Sequence, residues 1–158
     1  MIGWAFTVPG VPKPRQRARV VRLRSGKSHT YTPERTVNFE WKVASAAQAA
    51  GVQVLEGPVG LEIEIVRPWP KSLSKKAIAA GAWPTTRPDM SNILGAIEDA
   101  LIGVAYLDDA QIVNEVVRKV YGPAPCVQVS VGPYPWLGAL DEGGLQKLLP
   151  PRRLELEA

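Results

Sequence analysis

The stretch that decides the fold runs from Arg87 to Gln111 and reads RPDMSNILGAIEDALIGVAYLDDAQ. Its middle has the pattern of an amphipathic helix, because apolar residues recur at the spacing that places them on one side of a helix. These apolar residues are Ile93, Leu94, Ile97, Ala100 and Leu101. The opposite side carries small, polar and acidic residues: Ser91, Asn92, Gly95, Glu98 and Asp99. One side can pack against a core, and the other is available for chemistry.

Acidic residues stand at both ends of this helix. Asp89 lies just before it, and Asp108 and Asp109 lie just after it. Each position has an ordinary structural interpretation, an N-cap for Asp89 and a polar turn for the pair. A strand, the helix and a return strand would, however, bring both ends to the same end of one sheet. Carboxylates that meet there would suit Mg²⁺, which prefers oxygen ligands and keeps waters for a phosphate.

The residues before this helix predict a strand, a helix and a second strand. Residues Trp4 to Val8 suit a short strand that ends at Pro9-Gly10. Thr32-Pro33-Glu34 is typical of a helix start with Thr32 as N-cap, and the helix should last until Gly51. From Val59 to Val66 apolar residues alternate with glycine and glutamate, which is typical of a half-exposed strand.

A short helix is predicted before the central helix, and two strands after it. Ser72 to Ala80 suits the short helix, while Gln111 to Tyr121 and Cys126 to Val131 are rich in valine and predict a terminal hairpin. The predicted order is β-α-β-(α)-α-β-β. We expect one domain over residues 1–132 and a C-terminal extension over residues 133–158, where the composition changes.

Charge is distributed unevenly along the chain. The net charge is +4, yet no acidic residue occurs between Met1 and Pro33. We call residues 13–27 the basic arm, whose cations are Lys13, Arg15, Arg17, Arg19, Arg22, Arg24 and Lys27. A solvated surface is the ordinary explanation for such a run. The lack of any acid and the interleaved apolar residues favour contact with a polyanion instead.

Composition excludes several classes of protein. One cysteine and one histidine cannot form an intrachain disulfide or a structural zinc site. The N-terminus lacks the pattern of a signal peptide, and no apolar run is long enough to span a membrane. We therefore expect a cytoplasmic protein with no membrane partner. The acidic residues and the basic arm together indicate a phosphodiesterase that acts on nucleic acid.

Five short motifs support a more specific interpretation. They are PKPRQR at Pro12–Arg17, YTP at Tyr31–Pro33, RPD followed by NI at Arg87–Ile93, DAL at Asp99–Leu101 and DDAQ at Asp108–Gln111. Their combination resembles the RusA family of Holliday-junction resolvases over about Phe6 to Val131. The resemblance implies an α+β fold, a small mixed β-sheet with helices packed on one face.

The resemblance also implies an activity. Such a protein would be a homodimeric endonuclease of bacteria or their phages, acting in the host cytoplasm in DNA recombination and repair. It would nick four-way, branched DNA junctions symmetrically and use Mg²⁺, with Mn²⁺ as a substitute.

The same resemblance assigns roles to residues of the central stretch. Asp89 and Asp109 match catalytic, metal-binding aspartates, and Asn92 would support them. The motifs depart from the family at Ser91, where a second aspartate is common, and at Gly95, where a lysine is usual. The further candidate metal ligands are Asp108, Glu98 and Asp99. The seven cations of the basic arm are the candidate DNA-binding residues.

The two departures leave alternatives open. In one, Glu98 or Asp99 rebuilds the metal site, and a cation of the basic arm, from this subunit or its partner, replaces the missing lysine. Glu98 lies about 10 Å along the axis from Ser91, so it would share a site with Asp109 more easily than replace Ser91.

In the other, the protein binds branched DNA selectively but cleaves it weakly or not at all, because a serine hydroxyl is a weak Mg²⁺ ligand. We favour the first, since ample carboxylate remains. A basic interaction domain that meets no DNA is disfavoured by the acid-free arm.

Overall fold

A computed structural model describes residues 3–16, 19–22 and 24–135. Within these residues the strands are β1 (Trp4–Pro9), β2 (Arg19–Arg22), β3 (Ser28–Tyr31), β4 (Val59–Pro68), β5 (Ile112–Gly122) and β6 (Cys126–Pro133). The helices are α1 (Glu34–Ala49), α2 (Lys75–Ala79) and α3 (Met90–Leu101), and a 3₁₀ turn spans Asp109–Gln111. The α+β class with a small mixed sheet is confirmed. None of the described helices is long and apolar enough to cross a membrane.

The main sheet has the strand order β1-β6-β4-β5. Strand β6 runs antiparallel to both of its neighbours, whereas β5 runs parallel to β4. The predicted terminal hairpin is therefore wrong, because β4 separates β5 from β6. The crossover through α3 makes β5 parallel to β4, and insertion of β6 between β1 and β4 buries Val127, Val129 and Val131.

The core lies between the sheet and the two long helices. The apolar side of α3 is buried as predicted, with Ile93, Ile97 and Leu101 fully shielded from solvent. These side chains join the core residues of α1 and of the central strands in one cluster. Because this packing fixes the rotation of α3, Ser91, Asn92, Gly95, Glu98 and Asp99 lie on its other side, where they are exposed or partly buried.

Helix α1 begins one residue later than predicted. Its N-cap is Pro33, and no side chain caps this end of the helix. The carbonyl of Pro33 accepts bonds from the backbone of Thr36 and Val37, so Thr32 is not the cap. The predicted end is confirmed: Gly51 adopts a φ of +76°, a conformation that glycine takes without strain.

Strand β4 is more buried than its alternating pattern predicted. The sequence indicated a half-exposed strand, but Glu62 is only 5% exposed. The reason is position, because β4 lies in the interior of the sheet between β5 and β6. Neither carboxylate oxygen of Glu62 has a hydrogen-bond partner among the described residues.

The basic arm contributes a separate two-stranded sheet. Strands β2 and β3 pair antiparallel from Arg19 opposite Tyr31 to Arg22 opposite Ser28. The side chains of Arg22, Arg24 and Lys27 are exposed. Arg17 lies outside the described residues, as do residues 136–158, so the predicted C-terminal extension stays a prediction.

Candidate functional site

Asp89 is delivered to the site by a loop that two cations hold. The Nζ of Lys119 donates to the carbonyls of Thr86 and Pro88, each at 3.2 Å. The Nη1 of Arg67 donates to the intervening carbonyl of Arg87 at 3.1 Å. Three consecutive carbonyls are therefore bound by side chains of β4 and β5. The sheet thus fixes the backbone directly ahead of Asp89.

Asp89 occupies the N-cap position of α3, but its side chain makes no capping hydrogen bond. The residue is exposed, and its Oδ2 lies 3.5 Å from the Nδ2 of Asn92. The ordinary structural explanation, a carboxylate used for capping, therefore does not describe this residue. Its carboxylate remains accessible to a ligand, with Asn92 one helical turn away.

The acidic pair after α3 is divided in its roles. Asp108 caps the 3₁₀ turn, and its Oδ1 accepts a bond from the backbone of Ala110 at 2.8 Å. Asp109, the first residue of that turn, is exposed. Asp108 thus uses one carboxylate oxygen to shape the turn, while the exposed Asp109 is available to bind a ligand.

Gln111 locks this turn onto the rest of the fold. Its Oε1 accepts bonds from the backbone of Leu107 and Asp108, at 2.7 and 3.1 Å. Its Nε2 donates to the carbonyls of Leu55 and Gly57, at 3.0 and 2.9 Å. The glutamine of the DDAQ motif is therefore a structural anchor that sets the position of Asp109, a role that the sequence alone did not assign.

Glu98 lies among other acidic groups. Its pKa is raised, first by partial burial and then by the charges of Asp109 and Asp99, whereas Arg15 acts in the opposite direction. Glu115 of β5 interacts with the side chain of Glu98. Partial burial, the charge of Glu98 and this side-chain interaction raise the pKa of Glu115 to about 7.

Glu115 was missed by sequence reasoning. It lies in β5, outside the quoted motifs, and only the packing of α3 beside β5 brings it to Glu98. The buried side chain of Tyr106 lies in the same region. Its hydroxyl donates to the carbonyl of Glu98 at 2.9 Å. The nearby carboxylates and the burial of the ring raise the pKa of Tyr106 well above its usual value.

Arg15 occupies the space beside Gly95. Its backbone N–H donates to the carbonyl of Asn92 at 2.6 Å, and its Nε lies 2.9 Å from the Oδ2 of Asp99. A Cβ at Gly95 would lie 3.5 Å from the Cδ of Arg15 and 3.6 Å from its Nη1. A longer side chain at position 95 would therefore meet the guanidinium. Among the described side chains of the basic arm, that of Arg15 lies against this face of α3.

The structure thus forms two groups of the predicted residues. Asp89 and Asn92 lie at the start of α3, where Lys13 and Arg15 share a cavity with them. Glu98, Asp99 and Asp109 are electrostatically coupled near its end. Within residues 3–16, 19–22 and 24–135, no three His, Cys, Asp or Glu side chains converge closely enough to hold a metal ion.

The family of this chain follows from its motifs and their placement. The family model described as Endodeoxyribonuclease RusA matches residues 9–132. The chain belongs to the RusA family. Membership implies Holliday-junction resolvase activity in general, with binding to branched DNA junctions, and RusA nucleases are generally dependent on a divalent metal.

A curated relative supports the same family. The uncharacterized protein YqaN of Bacillus subtilis (strain 168) is 36% identical over 133 residues. The match covers 80% of this chain and 93% of that protein. The similarity therefore extends over most of both chains.

The side chains of this RusA site fit a divalent metal in their chemistry. Asp89, Asp109 and Glu98 offer carboxylate oxygens, the ligands that Mg²⁺ and Mn²⁺ prefer. Burial and the charges of neighbouring carboxylates raise the pKa of both Glu98 and Glu115, and a bound cation would relieve this repulsion. The ligand type is right, although the described carboxylates meet only in pairs and in looser electrostatic groups.

Proposed function

We propose that this chain is a Mg²⁺-dependent endonuclease, active also with Mn²⁺, that resolves four-way DNA junctions by symmetric nicking in recombination and repair. The observation that carries the proposal is the presence of accessible carboxylates at both ends of α3. Asp89 at its start and Asp109 beyond its end are exposed and make no ion pair within the described residues. Glu98, near the end of the helix, is electrostatically coupled to Asp109.

In this mechanism Glu98 and Asp109 would hold a metal ion near the end of α3, and Asp89 would hold a second one at its start. When bound, these ions would polarise the scissile phosphate and lower the pKa of an attacking water. Asn92 orients the carboxylate of Asp89, and Gln111 fixes the turn that presents Asp109. Asp108 contributes chiefly to that turn, because one of its oxygens already accepts a backbone bond.

Arg15 would supply the cation that Gly95 lacks. Its guanidinium would stabilise the negative charge that develops on the phosphate and on the leaving oxygen. Asp99 then acts as the positioning residue of Arg15, since the two side chains are paired at 2.9 Å. This assigns Asp99 to the cation rather than to the metal.

The principal test replaces each aspartate separately. Asp89→Asn and Asp109→Asn should each lower the rate of Mg²⁺-dependent nicking of a labelled synthetic junction by at least about a hundredfold, because each removes a charged ligand. Binding to the junction, measured by gel shift in Ca²⁺ or without metal, should persist. The matched control is Glu34→Gln, an exposed carboxylate in the first turn of α1. Undiminished nicking by either aspartate variant would contradict the assignment.

A binding protein without cleavage is the second candidate. It is favoured by Ser91 and by the lack of three converging metal-binding side chains in the described part of the chain. Incubation of the labelled junction with Mg²⁺ and with Mn²⁺ separates the two candidates. Paired symmetric nicks support the nuclease, whereas a gel shift with no nicks under either metal supports the binding protein.

A homodimer is part of the proposal, because two equivalent strands of a junction require two sites related by twofold symmetry. Trp41 is a candidate contact, since it is 69% exposed on α1. Light scattering at micromolar concentration should give twice the chain mass. A monomer at that concentration would argue against symmetric resolution by this protein.

A further inference from the structure

A cavity of about 950 Å³ opens beside Asp89. Five cationic side chains line it: Lys13, Arg15, Arg35, Arg67 and Arg87. Among the described residues, Asp89 is the single acidic side chain that lines this cavity. Such an excess of one charge is unfavourable in a cavity unless an anion enters, because like charges repel and the walls exclude part of the water.

Three of the five cations come from outside the basic arm. Arg35 lies in the first turn of α1, Arg67 near the end of β4, and Arg87 in the loop before Asp89. Their separation along the chain gave no reason to group them. The fold brings them together with Lys13 and Arg15, so the cavity is a product of tertiary structure and not of one charged segment.

In the described part of the chain, most cations of this cavity make no ion pair, although the Nη1 of Arg67 donates to the carbonyl of Arg87. Arg15 pairs with Asp99, whereas the other four make no ion pair among the described residues. Phosphate oxygens are acceptors that arginine binds well.

Backbone groups favour the same ligand. The first turn of α3 leaves its N–H groups without helical partners, and no side chain caps them. Asp89 and Asn92, the first and fourth positions of this end of the helix, both line the cavity. An anion there would benefit from the helix dipole in addition to the side-chain cations.

We propose that this cavity binds the phosphodiester next to the one that is cleaved, so that a nucleotide with phosphates on both its 3′ and 5′ sides spans the site. The inference rests on the proposed nuclease function. The cavity volume suits a nucleotide unit better than a lone phosphate. Asp89 serves the cleaved phosphate, and Arg35, Arg67 and Arg87 hold its neighbour. They fix the register of the cut strand.

The experiment titrates the full chain with thymidine 3′,5′-bisphosphate, without metal, and measures heat of binding. The wild-type protein should bind it, and Arg35→Gln and Arg87→Gln should each weaken binding about tenfold, as expected for loss of one charged hydrogen bond. Both residues are exposed, so these variants should fold. The matched control is Arg118→Gln, because Arg118 is exposed on β5, pairs with Glu64 and lies outside the cavity.

Two results would overturn the proposal. One is no binding of the bisphosphate by the wild-type protein at millimolar concentration. The other is equal binding by the cavity variants and Arg118→Gln. Asp89→Asn should bind the bisphosphate at least as tightly as the wild type, because it removes the negative charge from the wall.

Junction nicking by the wild-type protein in Mg²⁺ tests the proposed function separately. Nicking without binding of the bisphosphate would reject the cavity alone. Binding of the bisphosphate without nicking would reject the nuclease and leave the cavity as a site that binds DNA phosphates without cleavage.

Discussion

The two ends of α3 are built in opposite ways. At its start, the exposed Asp89 shares a cavity with five cations, and cations of β4 and β5 hold the loop before it. At its end, Glu98 is coupled to Asp109, and partial burial and Glu98 raise the pKa of Glu115 to about 7. The first end suits an anion, and the second suits a cation. A metal-dependent cut in DNA needs both.

Arg15 joins these two ends. It contacts Asn92 through its backbone and Asp99 through its side chain, and it lies against Gly95 between them. Burial and the charge of Asp99 raise the pKa of Glu40, and the charge of Arg15 opposes this rise. A single cation thus balances several carboxylates while still lining the phosphate cavity. The contrast between the ends of the helix depends on this side chain.

The largest expected effect therefore comes from Arg15. Arg15→Ala should reduce junction nicking by about a hundredfold, because it removes the fixed charge near the reacting phosphate. Gly95→Lys alone should also reduce nicking, since the new side chain would meet the guanidinium. The double variant should recover activity relative to Arg15→Ala, because the lysine can then occupy the vacated space. The measurement is single-turnover nicking in saturating Mg²⁺.

The matched control for this series is Arg24→Ala, an exposed cation of the basic arm. It should slightly weaken junction binding at raised salt and leave the rate of nicking unchanged. If the double variant is no more active than Arg15→Ala, a cation at this place on α3 is not sufficient, and the role proposed for Arg15 is wrong.

A smaller effect should come from the loop before Asp89. Lys119→Met removes the two bonds to Thr86 and Pro88 but keeps the length of the side chain. We expect about a tenfold lower rate of nicking at saturating junction, because the position of Asp89 becomes less defined, with little change in KM. Lys75→Met, in the exposed first turn of α2, is the control. A change in KM alone would assign Lys119 to DNA binding instead.

The sequence predicted α3 and its two faces because helical periodicity is a local property. It also predicted that Asp89 lies just before this helix and Asp109 just after it, since both positions are set by local boundaries. It did not predict that β6 enters the sheet between β1 and β4, because strand order depends on contacts far apart in the chain. The same limit applies to Glu115 and to Arg35 and Arg67, which reach the site only through tertiary packing.

Two predictions made from local sequence patterns were wrong: the N-cap of α1 and the exposure of β4. The Thr-Pro-Glu sequence predicted a cap at Thr32, but Pro33 occupies the N-cap position and the helix begins at Glu34. The alternation of β4 indicated exposure of Glu62, but neighbouring strands on both sides bury it. Choosing between Lys13, Arg15 and Arg17 as the cation of the site was likewise beyond the sequence, since spacing alone does not say which one reaches Gly95.

The smallest expected effect comes from Glu62 of β4, which lies away from both ends of α3. It shows how burial affects a carboxylate, for comparison with the carboxylates near the end of α3. Burial raises the pKa of Glu62; Arg118 opposes the shift and Glu64 adds to it. The folded state therefore binds a proton more tightly than the unfolded state, and stability should fall as the pH rises above the usual glutamate value of about 4.5. Glu62→Gln removes this ionisation, so thermal unfolding should show a stabilisation at pH 8, on the order of 1 kcal/mol, that disappears at pH 4.

The control is Glu56→Gln, because Glu56 is an exposed carboxylate before β4; this variant should show no such difference. An equal gain in stability of Glu62→Gln at both pH values would mean that the charge of Glu62 does not destabilise the fold. Nicking by Glu62→Gln should stay at the wild-type rate, because Glu62 lies outside the site on α3.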